Sequence, residues 1–241
     1  SYVIRKVNFN RFKLLGLIKK RYSISISKSS LYNIIKKLNI SKKKIYFKKQ
    51  SSNKEIHKKQ LKIFKEKIKN IDINKIVSID ETSIDTNINH NYGWSVKGKR
   101  INMKQNSIRI RYSVICAINK EQVIVTDIVK GSCNGCTFIE FIKKVLSKLN
   151  NDKHYLLMDN ARIHHYKKLK DYISTINNIE IIYNVPYMPK YNPIEHVFND
   201  GKKWLKDRKI HKGNIKYKIK TAFNNIKSSN IKKYYKKSLA L

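Results

Sequence analysis

Ile76-Val77-Ser78-Ile79-Asp80 and Tyr155-Leu156-Leu157-Met158-Asp159 are two runs of one design. Each is an apolar stretch of strand length that ends on a carboxylate. In a chain with only 16 Asp and Glu residues, acids at the ends of buried strands are conspicuous. Between them lie Arg109 to Ile118 and Gln122 to Val129, two β-rich runs separated by Asn119-Lys120-Glu121, which read as an antiparallel hairpin. Thr137 to Leu149 follows as a helix with Phe138, Phe141, Ile142, Val145 and Leu149 apolar. A strand, hairpin, helix, strand order permits the first and last strands to be parallel neighbours. Their carboxylates would then sit side by side over the sheet, where like charges repel and raise one pKa unless a cation neutralises them. A divalent metal is the economical neutraliser.

Beyond Asp159 the pattern predicts a helix over Lys167 to Ile176, a short strand over Glu180 to Tyr183 and a strong helix over Pro193 to Lys206. From Lys75 onward the texture is therefore that of a mixed α/β domain. A third acid, Glu195, opens the last helix, and its local reading is structural. Asn192 can cap, Pro193 suits the first helical position, and Glu195 at the third can turn back to the cap amide. The alternative is chemical. Carboxylate oxygens suit Mg²⁺ or Mn²⁺ better than zinc, and two such ions flanking a phosphate activate the attacking oxygen and stabilise the leaving one.

Charge points the same way. Lys and Arg number 54, for a formal net charge of +38, and such a field attracts a polyanion. Coding in an A+T-rich genome would inflate Lys, but it does not explain the shortage of acids. Hydrophobic residues make up 41% of the chain, enough for a core, and no apolar run approaches the roughly 20 residues of a membrane-spanning helix. With no charged-then-apolar leader in view, the reading is a soluble intracellular protein that binds nucleic acid, in the nucleus of a eukaryotic host or otherwise in the cytoplasm or nucleoid. Cys116, Cys133 and Cys136 are too few for a disulfide framework. Cys133 and Cys136 have zinc-ligand spacing, but no second pair completes four ligands, and Gly131 to Gly135 reads as a turn before a helix.

The first 50 or so residues predict a small helical module. Arg11 to Arg21 carries Phe12, Leu14, Leu15 and Ile18 at near-helical spacing. Ser27 is a candidate N-cap for a second helix, in which Leu31, Ile34, Ile35 and Leu38 form an apolar stripe for packing. That leaves Lys28, Ser29, Tyr32, Asn33, Lys36 and Lys37 outward as candidate DNA-reading residues, as the second helix of a helix-turn-helix would present them. The opening on Ser1 rather than Met suggests further sequence upstream. Ser41 to Ser52 reads as a basic linker and Asn53 to Asn70 as a helix lying against the larger domain. Ile215 to Leu241 reads as a basic helical segment that could serve DNA or a partner. The expected organisation is thus a partial helix-turn-helix module over 1–50, linker and helix over 51–74, a catalytic domain over 75–210 and a basic tail over 211–241.

Four blocks in order carry a family resemblance. Ser78-Ile79-Asp80-Glu81-Thr82, Tyr92-Gly93-Trp94-Ser95-Val96-Lys97-Gly98, Met158-Asp159-Asn160-Ala161-Arg162-Ile163-His164 and Tyr187-Met188-Pro189-Lys190-Tyr191-Asn192-Pro193-Ile194-Glu195 resemble the signature blocks of mariner-like DDE transposases, including related bacterial insertion-sequence enzymes. The N-terminal helices resemble the second half of that family's paired helix-turn-helix region. The resemblance implies an α/β, RNase H-like sheet flanked by helices, with Asp80, Asp159 and Glu195 as catalytic, metal-holding acids for two Mg²⁺ or Mn²⁺ ions. It implies cut-and-paste movement of double-stranded DNA, insertion at TA sites and two enzyme copies on paired ends. Residues 160–194 separate the last two acids, close to the family's usual spacing but not its commonest value.

Asn160 and His164 lie in a matched block and could support the acids or orient phosphate. Glu81 should point to the opposite side of the strand and is assigned no metal. Gly93 and Trp94 read as a packed turn rather than a base-stacking platform. Two other functions remain open: a transposase-derived DNA-binding protein that no longer catalyses, and an RNase H-like nuclease that cuts without joining.

Overall fold

The computed structural model describes residues 11–38, 54–88, 109–186, 188–208 and 214–239. The Trp94 block, the 41–52 linker and Tyr187 lie outside these described residues. The chain divides into two compact units, residues 1–52 and 53–241.

In the first unit, α1 (Arg11–Tyr22) and α2 (Lys28–Lys37) are joined by a short turn that includes Ser23 at a φ of 55°. Ser27 caps α2 as its sequence suggests, its Oγ accepting from the Ser30 amide at 3.0 Å. The apolar stripe of α2 behaves differently from the expectation. Leu31 is buried, but Ile34 and Leu38 stand exposed; among the described residues of this unit, α1 is the element that packs on α2. Lys28, Ser29, Tyr32, Asn33, Lys36 and Lys37 are all exposed.

The second unit is built on a five-stranded sheet in the order β3-β2-β1-β4-β5. The strands are β1 (Ile76–Asp85), β2 (Arg111–Ile118), β3 (Val123–Lys130), β4 (His154–Met158) and β5 (Ile179–Tyr183). β1, β2 and β3 form an antiparallel meander, whereas β4 and β5 continue the sheet in parallel with β1. The expected parallel pairing of the two carboxylate-bearing runs is present: Ile76, Val77 and Ser78 lie opposite Tyr155, Leu156 and Leu157. Asp80 does not, however, end its strand. β1 runs five residues further, paired with β2 as far as Asp85 opposite Arg111, since the hairpin partner keeps satisfying the backbone after β4 has stopped.

Alternation along β1 sends its residues to two different cores. On one face Val77 and Ile79 join Ile115, Ala117, Leu156 and Met158 beneath α4 (Gly135–Leu146) and α5 (Lys167–Ser174). α4 begins two residues before the periodicity suggests, because the Asn134 side chain accepts from the Thr137 amide at 2.9 Å and sets the start. On the other face Ile76 and Ile84 join Val114, Cys116 and Leu157 beneath α6 (Ile194–Asp207), α7 (Ile215–Asn224) and α8 (Ser228–Leu239). Phe64 and Ile68 of α3 (Lys54–Lys69) pack into the same core.

The segment from Ile215, expected as a basic tail, thus builds half of one face. Ile219, Phe223, Ile231 and Tyr235 are fully buried, while the lysines between them stay outside. Gly201 lets α7 approach α6: a Cβ there would stand 2.8 Å from the Phe223 ring. Among the described residues no helix is long and apolar enough to cross a membrane.

Candidate active site

Asp80 lies within β1 and Asp159 directly follows β4, each two residues beyond the Ser78–Leu157 pair of the neighbouring parallel strands. By alternation Asp80 belongs to the face covered by α6. The first turn of α6 brings Glu195 from the far side. The three acids, with Asn160, Asn184 and Asn192, line one cavity of about 440 Å³.

The capping role read for Asn192 and Glu195 is not what the chain adopts. Pro193 occupies the N-cap position and makes no side-chain cap hydrogen bond, and the Glu195 amide donates to the Asn192 carbonyl at 3.3 Å. The Asn192 side chain instead crosses to β1. Its Nδ2 donates to Asp80 Oδ2 at 3.0 Å, and its Oδ1 accepts from the Ser78 hydroxyl. A buried polar group must find partners, and the strand offers two that the local sequence around Asn192 does not. The Glu195 carboxylate is thereby released from its own helix start and stands half-buried at the cavity.

Asp80 is buried at 8% exposure, and its Oδ1 also accepts from the Glu81 amide at 2.7 Å. Burial pushes its pKa up to about 8, and the Asp159 charge adds to this; Glu81 and Glu195 contribute less. Glu195 is raised by burial and by Asp159, against the pull of Lys202. Asp159 moves the other way. Burial acts upward on it, but the His164 ring and the Ala161 amide, at 2.7 and 2.8 Å from its Oδ1, outweigh that and hold it ionised.

His164 has no exposed surface. Its Nδ1 faces Asp159, its Nε2 lies 3.0 Å from Glu81 Oε2, and its ring packs against Phe138 with centroids 4.7 Å apart. Burial opposes its charge, yet the two carboxylates raise its pKa to about 10, so both ring nitrogens donate. Glu81 points away from the cavity, as alternation requires, and serves as the counter-charge to His164. Asn160 braces the loops: Nδ2 donates to the Asn184 carbonyl, and Oδ1 lies 3.1 Å from His165 Nε2.

Among the described residues, no three or more His, Cys, Asp and Glu side chains are placed so that together they could hold a metal ion as they stand. The donor types nonetheless fit a hard divalent cation: three carboxylates line one cavity, and one of them, Asp80, is driven to keep a proton near neutral pH, first by burial and then by the Asp159 charge. Cys133 and Cys136 do not share this cavity. Cys133 packs with the α4 face, and Cys136 is exposed in the first turn of α4. Sequence reading did not find Ser78 or Asn192 as site residues. The available signal was Ser78 itself, a hydroxyl inside an apolar strand and on the same side as Asp80.

A mixed sheet of this strand order, with one acid within β1 and another directly after β4, defines an RNase H-like fold. The DDE superfamily endonucleases match residues 75–215, more than half of the chain, and the chain belongs to that family. Its fold is that of the Mos1 mariner transposase. Mos1 in a paired-end complex with the left transposon end aligns with a TM-score of 0.74 at 16% identity, over 96% of this chain and 76% of that one. The Mos1 strand transfer complex gives 0.73 at 16%, over 96% and 75%. The isolated Mos1 catalytic domain gives 0.61 at 15%, over 82% and 93%. No curated protein matches the sequence significantly.

Proposed function

We propose that the protein is a transposase that cuts DNA strands and joins the freed ends to a target, with Asp80, Asp159 and Glu195 holding Mg²⁺ or Mn²⁺. The observation that carries this reading is the convergence of three acids, from three separate chain segments, on one cavity in a member of an endonuclease family. Mos1 structures have been determined with Mn and with Mg, in support of the same ions here.

Bound divalent ions would supply charge neutralisation for the phosphodiester and acidify the attacking hydroxyl. The chain supplies the frame. Asp80 is fixed by the Glu81 amide and Asn192, Glu195 faces it from α6, and Asp159 must turn from His164 toward the cavity to join them. His164 stays charge-balanced by Glu81 when Asp159 leaves, so that turn does not strand a buried cation. Water first attacks phosphorus at the transposon end and the bond to the 3′-oxygen breaks. The freed 3′-hydroxyl then attacks a target phosphorus and displaces that strand's 3′-oxygen. No covalent protein intermediate is needed.

The partner is double-stranded DNA, with target insertion at TA sites and two copies of the enzyme on paired ends. Lys28, Ser29, Tyr32, Asn33, Lys36 and Lys37, exposed on α2, are the proposed DNA-contacting residues. The decisive experiment incubates the full chain with Mg²⁺ or Mn²⁺, DNA bearing terminal inverted repeats and a plasmid target. Cleavage followed by joined products is expected. Cleavage without joining would reduce the protein to a nuclease, and binding without cleavage would make it a non-catalytic DNA-binding protein.

A further inference from the structure

Asn192 and Ser78 form, with Asp80, a buried polar chain inside an otherwise apolar core. Asn192 is 1% exposed and Ser78 has no exposed surface. Directions in the chain are fixed by donor chemistry. An ionised Asp80 can only accept, so the amide presents its nitrogen to it, Nδ2 donating to Oδ2 at 3.0 Å, and Asn192 Oδ1 is left to accept from the Ser78 hydroxyl. The other Asp80 oxygen is occupied by the Glu81 amide at 2.7 Å. Each carboxylate oxygen therefore has one donor, which locks the torsion and leaves its remaining lone pairs for the cavity.

Ser78 is itself held from the C-terminal helix. Its amide donates to the Tyr235 hydroxyl at 3.3 Å, and that hydroxyl lies 2.8 Å from the Ile118 carbonyl and 3.1 Å from that of Ile76. Tyr235 is fully buried, so its oxygen fills a place in the β1–β2 ladder where Ser78 and Ile118 face one another. The anchor of the chain is thus 157 positions away from Ser78 in sequence and fully buried in the structure.

We propose that Asn192 is a positioning residue, oriented by Ser78, that fixes the Asp80 carboxylate in the orientation required to hold a cation. This rests on the functional reading above, and it goes beyond it by assigning a task to a residue whose local sequence suggests a helix cap. Asn192→Asp is the sharpest variant: nearly isosteric, it keeps an acceptor for Ser78 but removes the donor to Asp80 and adds a like charge beside it. Asn192→Ala removes both links. Ser78→Ala leaves the amide free to flip and is the milder case.

Three measurements on the full chain test the proposal. The first is the Mg²⁺ concentration giving half-maximal DNA cleavage, which should rise at least tenfold in Asn192→Ala and Asn192→Asp and less in Ser78→Ala, with DNA affinity unchanged. A core variant on the opposite face, Val145→Ala, should lower the melting temperature without moving that midpoint, which separates positioning from loss of stability. The second is direct Mn²⁺ binding by the protein without DNA, which should weaken in the same order. The third needs neither metal nor activity. Crystal structures of metal-free wild type and Asn192→Ala should show one Asp80 carboxylate orientation in the former and several in the latter. A single unchanged orientation in the variant, or an unshifted metal midpoint, overturns the proposal. A wild-type chain that neither binds Mn²⁺ nor cuts DNA would overturn the transposase reading instead, and the crystallographic comparison would still decide the positioning role.

Discussion

The two faces of the sheet draw on the same alternating strands and end in different chemistry. Under α4 and α5, Val77, Ile79, Ile115, Ala117, Leu156 and Met158 meet Phe138, Phe141, Ile142 and Val145 in an apolar core, with buried His164 and its partner Glu81 at the Phe138 end. Under α6, α7 and α8 the neighbouring residues of the same strands include Ser78 and Asp80, and the covering segment contributes Asn192. A face that mainly has to hold the fold can be apolar over most of its area, with one charged pair at its end. A face that carries carboxylates must offset their desolvation with hydrogen bonds, and must leave one side open, as happens where β4 stops and β1 continues.

The largest expected contrast comes from removing the acids themselves. Asp80→Asn or Asp159→Asn should take Mg²⁺-dependent cleavage to background while DNA affinity, measured by gel shift, stays within twofold or so of wild type. Residual cleavage near the wild-type rate would detach those residues from catalysis. The mirror experiment is Phe141→Ala on the other face. With no exposed surface, that ring should cost about 3–5 kcal/mol of stability in denaturant unfolding. A cost below about 1 kcal/mol would mean that the α4 face is not the structural one.

The pH dependence sharpens the comparison further. Burial pushes the Asp80 pKa up to about 8 in the folded, metal-free protein, from an ordinary value of 3.8, so the fold binds its proton more tightly than the unfolded chain does. That contribution is complete below the unfolded value and is lost as pH rises through about 8. The metal-free protein should therefore lose melting temperature over this window, and Mg²⁺ should stabilise it more at pH 8.5 than at pH 6. Asp80→Asn should flatten both trends. A pH-independent Mg²⁺ effect in thermal melts would contradict the assignment of the shift to Asp80.

The smallest effect belongs to the N-terminal unit. If Lys36 and Lys37 meet phosphates, replacing either by Ala should make the slope of log affinity against log salt shallower by about 0.9. An unchanged slope would remove α2 from the DNA contact.

Much of this arrangement was legible before any coordinates. The parallel pairing behind Asp80 and Asp159, the β2–β3 hairpin and the helical α4, α5 and α6 follow from short-period and helical patterns, because burial on one or two faces is written directly into residue order. The extension of β1 to Asp85 was not legible, since Glu81, Thr82 and Ser83 look polar and only the pairing with β2 makes them strand. Nor was the fate of Ile34 and Leu38, whose apolar stripe on α2 depends on how much of it a neighbour covers.

Residue order alone set the core of each strand and the basic character, through periodicity and charge, and the four ordered blocks singled out the three acids as candidates. Tertiary structure alone decided that Asn192 serves Asp80 rather than its own helix, that Glu81 answers His164, and that the C-terminal helices are core rather than appendage. The physical reason is range. Periodicity and capping report on neighbours a few residues away, whereas a buried donor or carboxylate takes whichever partner the packed chain brings within about 3 Å, however distant in sequence.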